Sequence, residues 1–160
     1  MGNGDGNGAV SEVASASSGA HDGLMTTQRS MVHMALDAQK PTSTGDLKEL
    51  VAWQVAMDFA ESTYRSTQKF PDDEKFGLRL QLRRAAVSVA SNIAEGHGRT
   101  SPREYARFVL IARGSLKEAE TQVLLSQRLG YLSSEAAEEL VSIISRNNRL
   151  LAGLLRRLRK

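Results

Sequence analysis

Residues 81–96 read Gln81-Leu-Arg-Arg-Ala-Ala-Val-Ser-Val-Ala-Ser-Asn-Ile-Ala-Glu-Gly96, and the fold follows from what this stretch contains and what it lacks. Leu78, Leu82, Ala85, Val89 and Ile93 recur at helical spacing, which predicts a helix with one buried stripe. Beyond Arg83 and Arg84, only Val87, Val89, Asn92 and Ile93 exceed alanine or serine in size as far as Ala94. Amphipathic surface helices carry charged residues on their outer face. Here small residues take those positions, so another helix backbone can approach closely. The stretch is expected to pack on more than one side, with arginines held at one end. That points to assembly and binding rather than catalysis.

Composition separates this region from the start of the chain. Residues 1–46 hold seven of the 13 glycines, no Trp, Tyr or Phe, and two basic residues against five acidic ones, a net of −3. From whole-chain totals of 21 and 18, that leaves residues 47–160 with 19 basic and 13 acidic residues, a net of +6. A glycine-rich, aromatic-free segment cannot bury enough apolar surface to offset its ordering entropy. The expectation is a disordered tail over 1–46, with helical spacing only around Leu24 to Gln39, and a compact domain over 47–160. With no cysteine, disulfides and thiolate chemistry are excluded. No apolar run approaches the roughly 20 residues that span a bilayer. The N-terminus lacks the basic start and apolar core of a secretory signal, and Gly6 stands where a myristoylation motif has Ser or Thr. A soluble cytoplasmic protein without membrane contact is expected.

Punctuation predicts four helices. Asp46 and Glu49 have the form of a capping box, opening a helix to about Lys69 whose apolar residues are Leu50, Trp53, Met57, Ala60 and Tyr64. Phe70-Pro71-Asp72 closes it. A second helix runs from about Asp73 to Glu95 and stops at Gly96-His97-Gly98, where glycine supplies left-handed dihedrals. Ser101-Pro102-Arg103-Glu104 opens a third, with serine as N-cap, proline in the first helical position and glutamate in the third. It carries Tyr105, Phe108, Ala112, Leu116, Ala119 and Val123 inward and ends at Gly130. Ser133 opens the fourth, where Leu140, Ile144, Asn147, Leu151, Leu154 and Leu158 form a heptad seam. Short links between long amphipathic helices imply an all-α, up-and-down antiparallel four-helix bundle.

Catalysis has little to work with. His21 and His33 lie in the tail, and His97 between two glycines reads as a solvated turn residue. Gly96-His97-Gly98 follows a helix rather than a strand, so it is no dinucleotide fingerprint. No Glu-x-x-His pair supports a di-metal centre. No catalytic, cofactor or metal residue is therefore assigned, and the chain is not expected to be an enzyme. The arginines say more. Arg79 and Arg83 lie one turn apart with Arg84 beside them, Arg99, Arg103 and Arg107 continue at steps of four, and Arg113 and Lys117 form another pair. Such residues either form a solvated, ion-paired face or meet phosphates with their guanidinium forks. Arg156, Arg157, Arg159 and Lys160 complement the dipole of a helix that begins with Glu135, Glu138 and Glu139. Asn147 in the leucine seam reads as a register-setting residue. Asn92 and Glu95 either cap their own backbone or bond across a helix interface.

The segments Leu50-Val-Ala-Trp-Gln-Val-Ala-Met57, Phe70-Pro-x-x-Glu74 with Phe76-Gly-Leu78, Gln81 to Gly96, and Ala112-Arg-Gly-Ser-Leu116 through Leu129-Gly-Tyr-Leu132 resemble the bacterial four-helix-bundle family encoded by intervening sequences in 23S ribosomal RNA genes. The match runs in order from about Leu47 to Lys160. It implies a four-helix protomer, assembly into ring-like homopentamers and no established enzymatic activity. A more distant similarity is to the accessory protein of diversity-generating retroelements, a basic pentamer that binds reverse transcriptase and nucleic acid. The family's Arg-Arg-Ala-Ala and Ser-Asn-Ile-Ala-Glu-Gly elements fall on Arg83 to Ala86 and Ser91 to Gly96.

Together these readings predict a non-enzymatic homo-oligomer that presents Arg79, Arg83, Arg84, Arg99, Arg103 and Arg107 to structured RNA or to a nucleic-acid-handling protein. Trp53, Ala86, Ala90, Asn92 and Glu95 are the expected subunit-interface residues. The alternative is a structural module whose arginines contact neighbouring subunits and no nucleic acid.

Overall fold

A computed structural model describes residues 45–159 of the chain. Apart from Gly45 and Asp46, the tail expected over 1–46 lies outside the described residues, as does the helical spacing at 24–39. The described part is a bundle of four α-helices: α1 (Val51–Ser66), α2 (Leu78–His97), α3 (Pro102–Arg128) and α4 (Ser134–Leu158). Each packs on two neighbours, α1 and α3 flanking α2 and α4 closing the ring. No strand occurs among the described residues.

The helix boundaries follow local chemistry that the sequence reading caught only in part. Asp46 is a true cap, its carboxylate accepting from the Lys48 N–H at 3.0 Å, but it caps a 3₁₀ turn over Leu47–Glu49 and α1 begins afterwards at Val51. That helix stops at Ser66, short of Lys69: Thr67 is its C-cap, with ψ at 3°, its N–H making the last i→i−4 bond to the Thr63 carbonyl and its hydroxyl donating to the same oxygen. Nor does α2 start at Asp73. Asp72–Lys75 form a second 3₁₀ turn, and the Glu74 carboxylate caps the new helix by accepting from the Leu78 N–H at 2.6 Å. At 20 residues, α2 is about 30 Å long. Ser101 stands at the N-cap of α3 without a side-chain cap bond, whereas Ser133 caps α4 by accepting from the Ala136 N–H.

The close approach expected of the small-residue helix occurs between α2 and α3, the most extensively packed pair. Ala86, Val89 and Ile93 of α2 are fully buried with Ala112, Leu116 and Ala119 of α3 in the same core. Gly96 closes the pair. A Cβ there would lie 2.6 Å from the Tyr105 ring and 2.9 Å from the Phe108 Cβ, distances no real side chain tolerates. The reason for glycine at 96 is thus contact, not a left-handed turn. The helix continues through His97, and Gly98 is right-handed at φ −76°. The left-handed glycine after a helix is Gly130, at φ +74°.

The core phase of α1 also differs from its expected stripe. Ala52, Val55, Ala56, Phe59, Ser62 and Thr63 are buried, whereas Met57 and Tyr64 remain 45% and 46% exposed and Trp53 is half-buried. On α3 the same correction applies once: Val109 is buried and Phe108 only half so. The α4 seam lies where expected, with Leu140, Ile144, Asn147, Leu151 and Leu154 buried.

Asn147 is fully buried, and neither amide atom has a hydrogen-bond partner. An orphaned buried polar group costs about 1–3 kcal/mol, so Asn147→Leu should stabilise the fold by that order in urea denaturation. A loss of stability would show that the amide is satisfied, for example by an internal water.

Candidate nucleic-acid interface

Only some of the arginines singled out from the sequence have free guanidinium groups. Arg79 donates from Nη2 to the carbonyls of Phe70 (3.1 Å) and Pro71 (2.7 Å) and pairs with Asp72 at 3.5 Å, its side chain only 16% exposed. Arg83 donates from Nε to the Thr67 hydroxyl at 2.7 Å and from Nη2 to the Tyr64 carbonyl, and lies over the Tyr64 ring at 4.6 Å. Both therefore bind the end of α1 and the connection that follows. A cation at a helix C-terminus satisfies carbonyls that have no partner within the helix. The expectation that Arg79 and Arg83 face a ligand is corrected: Nη2 of Arg79 and Nε and Nη2 of Arg83 are bonded within their own chain, and Arg79 Nε is buried without a partner.

The same connection explains other motif residues. The Tyr131 hydroxyl donates to Glu74 at 3.4 Å, and the Tyr131 ring meets Phe70 with centroids 5.5 Å apart. Phe70, Glu74, Arg79, Arg83 and Tyr131 thus form one clamp across the end of the bundle.

Arg84 turns the other way. It is exposed, has no hydrogen bond or ion pair within the described residues, and lines a cleft of about 420 Å³ with Gln81, Ser88 and Glu118. Arg99 pairs with Glu95 at 2.5 Å and lies over the Phe108 ring at 4.9 Å. Arg103 and Arg107 are exposed and unpaired, and line a broad groove of about 1240 Å³ between the start of α3 and the end of α4, floored by Leu110, Ile111 and Leu158. Arg113 donates to the Asn148 side chain at 2.9 Å, and Lys117 pairs with Glu120.

The expected subunit-interface residues also separate. Ala86 and Ala90 are 0% and 6% exposed, covered by the chain's own helices, so their close contact is made within the protomer and not with a second copy. Asn92 donates to the carbonyl and hydroxyl of Ser88, and that hydroxyl meets Ser115 of α3 at 2.9 Å. Glu95 faces outward to Arg99. His97 is no solvated turn residue: it is half-buried at the end of α2, its ring edge-on to Tyr105. Among the described residues, no group of His, Asp and Glu could hold a metal ion, and no helix is long and apolar enough to cross a membrane.

Two surface features go beyond what the sequence suggested, where Arg156, Arg157 and Arg159 read only as complements of the helix dipole. Large exposed apolar residues lie on α1 (Val51, Met57, Tyr64), on α2 and its approach (Phe76, Leu80, Val87) and on α3 (Leu110, Ile111, Leu124, Leu125), with none on α4. Conversely, residues 140–159 contain no acidic residue and five arginines, Arg146, Arg149, Arg156, Arg157 and Arg159, all exposed and none in a hydrogen bond or ion pair within the described residues. Tyr105 is buried near this end with its hydroxyl unpartnered. Burial pushes that hydroxyl above the ordinary tyrosine range, and the nearby Arg157 charge opposes the shift.

Architecture and sequence together define a small antiparallel four-helix protein with a basic end. The chain belongs to the 23S rRNA-intervening sequence protein family, whose model matches residues 48–153. Among solved structures it is similar to a protein of unknown function from the S23 ribosomal protein family of Bacteroides thetaiotaomicron VPI-5482, with 22% identity and a TM-score of 0.60 over 66% of this chain and 98% of that one. At that identity the likeness speaks for the fold alone. No curated protein matches the chain.

Because Arg83 holds the end of α1, Arg83→Ala should destabilise the fold by about 1.5–3 kcal/mol in urea unfolding, the range for hydrogen bonds to charged groups. Arg84→Ala should leave protomer stability within about 0.5 kcal/mol, as expected for a surface site without such bonds.

Proposed function

We propose that the protein is a non-enzymatic homo-oligomer whose unpaired arginines bind the phosphates of structured RNA. The observation that carries this reading is the division of the surface. Large exposed apolar side chains lie on α1, α2, α3 and the connections that follow them, Leu129 included, and none lies on α4, whose second half carries five partnerless arginines. Arg103 and Arg107 join these from the start of α3, beside Leu110 and Ile111. Apolar patches of this kind mark association surfaces. The stripe of Trp53, Met57, Ala60 and Tyr64 has the periodicity of a buried helix face but is half open in the protomer. A second copy would cover it.

Arginines without carboxylate partners are the side chains that counter-ion release rewards. In this reading Arg103, Arg107 and the α4 arginines replace Arg79 and Arg83 as phosphate contacts. Ring assembly multiplies them, and multivalency raises avidity without new contacts. Arg84 belongs with assembly instead. It stands on the outer face of α2 between the exposed Leu80 and Val87, which favours an inter-subunit role for this one residue.

Affinity for a structured RNA hairpin should fall steeply with salt, and Arg103→Gln/Arg107→Gln should lower the salt slope by about 2 if both contact phosphates. An unchanged slope would remove these two residues from the interface. In light scattering, the wild type should have a mass several times the 17.4 kDa of the chain, and Met57→Asp should reduce it to that of the single chain.

A further inference from the structure

Gly153 is a helix-interior glycine that the fold does not require. Its φ is not left-handed, and a Cβ there would meet only the far end of the Arg156 side chain, at an ordinary 3.7 Å. Glycine inside a helix costs roughly 1 kcal/mol relative to alanine, so α4 carries this cost without gaining packing in return. What the missing side chain leaves is a notch. Arg149, Leu150, Gly153, Arg156 and Arg157 line a concavity of about 480 Å³ on the outer surface of α4. Arg149, Gly153 and Arg156 lie at helical spacing on one face, and the Arg156 guanidinium reaches over the Gly153 backbone, its Nη2 3.7 Å from where a Cβ would sit. Arg157 adds a third from the flank, and none of the three is paired.

From this arrangement we propose that the notch at Gly153 is a seat for a phosphate group, gripped by Arg149 and Arg156. This rests on reading the α4 arginines as an anion-binding surface and makes it specific. A phosphoryl group is compact and fully charged, and planar guanidinium forks match its oxygens in pairs. A Cβ at the bottom of the notch would hold the group away from the helix and lengthen those contacts. The phosphate belongs either to a polynucleotide backbone or to a small phosphorylated molecule.

Gly114 of α3 provides an internal control. It is equally open, since a Cβ added there would have nothing within 4 Å, but neighbouring Arg113 is bonded to Asn148 and Lys117 to Glu120. The full-length protein would be titrated at low salt with inorganic tripolyphosphate, and separately with a structured RNA hairpin. Gly153→Ala and Gly114→Ala should both raise the thermal midpoint. Only the change at 153 should weaken tripolyphosphate binding, and Gly153→Leu should weaken it by about tenfold or more without altering charge. Arg149→Gln/Arg156→Gln should abolish it. If Gly153→Leu binds tripolyphosphate as the wild type does, or if the wild type does not bind it, the seat does not exist. A parallel loss of RNA affinity in Gly153→Leu assigns the seat to a polynucleotide. RNA affinity that is unchanged, or absent from the start, assigns it to a small phosphorylated ligand, and absence also removes the RNA reading.

Discussion

The close contact of α2 with α3 is the constraint on which the other features depend. Ala86, Ala90, Ala112 and Ala119 keep the two backbones near one another, and Gly96 accepts the Tyr105 ring where no Cβ would fit. A hydrogen bond between Ser88 and Ser115, supported by Asn92, runs across the seam. With so little bulk on these faces, register is set by shape, and tightly packed interiors are sensitive to a single added methylene. This pairing fixes the hairpin whose two outer flanks receive α1 and α4.

At the far end of the hairpin the geometry is held by charge. The α1 helix ends early; Arg83 reaches from α2 to its Tyr64 carbonyl, and Arg79 to the Phe70 and Pro71 carbonyls of the connection that follows. Glu74 faces the start of α2, where the helix dipole favours an anion, and Tyr131 reaches over from beyond α3. These charged residues act within the protomer. Arginine can serve such a clamp or a phosphate, and what decides between them is whether carbonyl acceptors lie within reach. For Arg79 and Arg83 they do; Arg103, Arg107 and the arginines of α4 meet no such acceptor within the described residues.

Much of the architecture was legible in the residues. The α4 seam, the Ser133 cap and Pro102 in the first position of α3 were each visible, because they are local patterns. The phase of α1 was not. It carries two apolar stripes, one of small residues with Phe59 that faces the core and one with Trp53, Met57 and Tyr64 that stays half open. Periodicity weights the larger residues and cannot tell a core face from an association face. The partners of Arg83 were hidden for a different reason: its acceptors are a backbone carbonyl and a hydroxyl at positions 64 and 67, which residue identity does not display. The α4 arginines were visible but were explained by the helix dipole, a sufficient account of charge that says nothing about Gly153.

The central claim is that ligand contact has passed from the paired arginines of α2 to the unpaired ones of α3 and α4. Ultraviolet cross-linking of the protein to a structured RNA hairpin, with the attached peptides identified by mass spectrometry, tests it most directly. The account predicts adducts on peptides spanning 146–159 and 103–107, and none on 79–83. Adducts concentrated on 79–83, with α4 unlabelled, would contradict it.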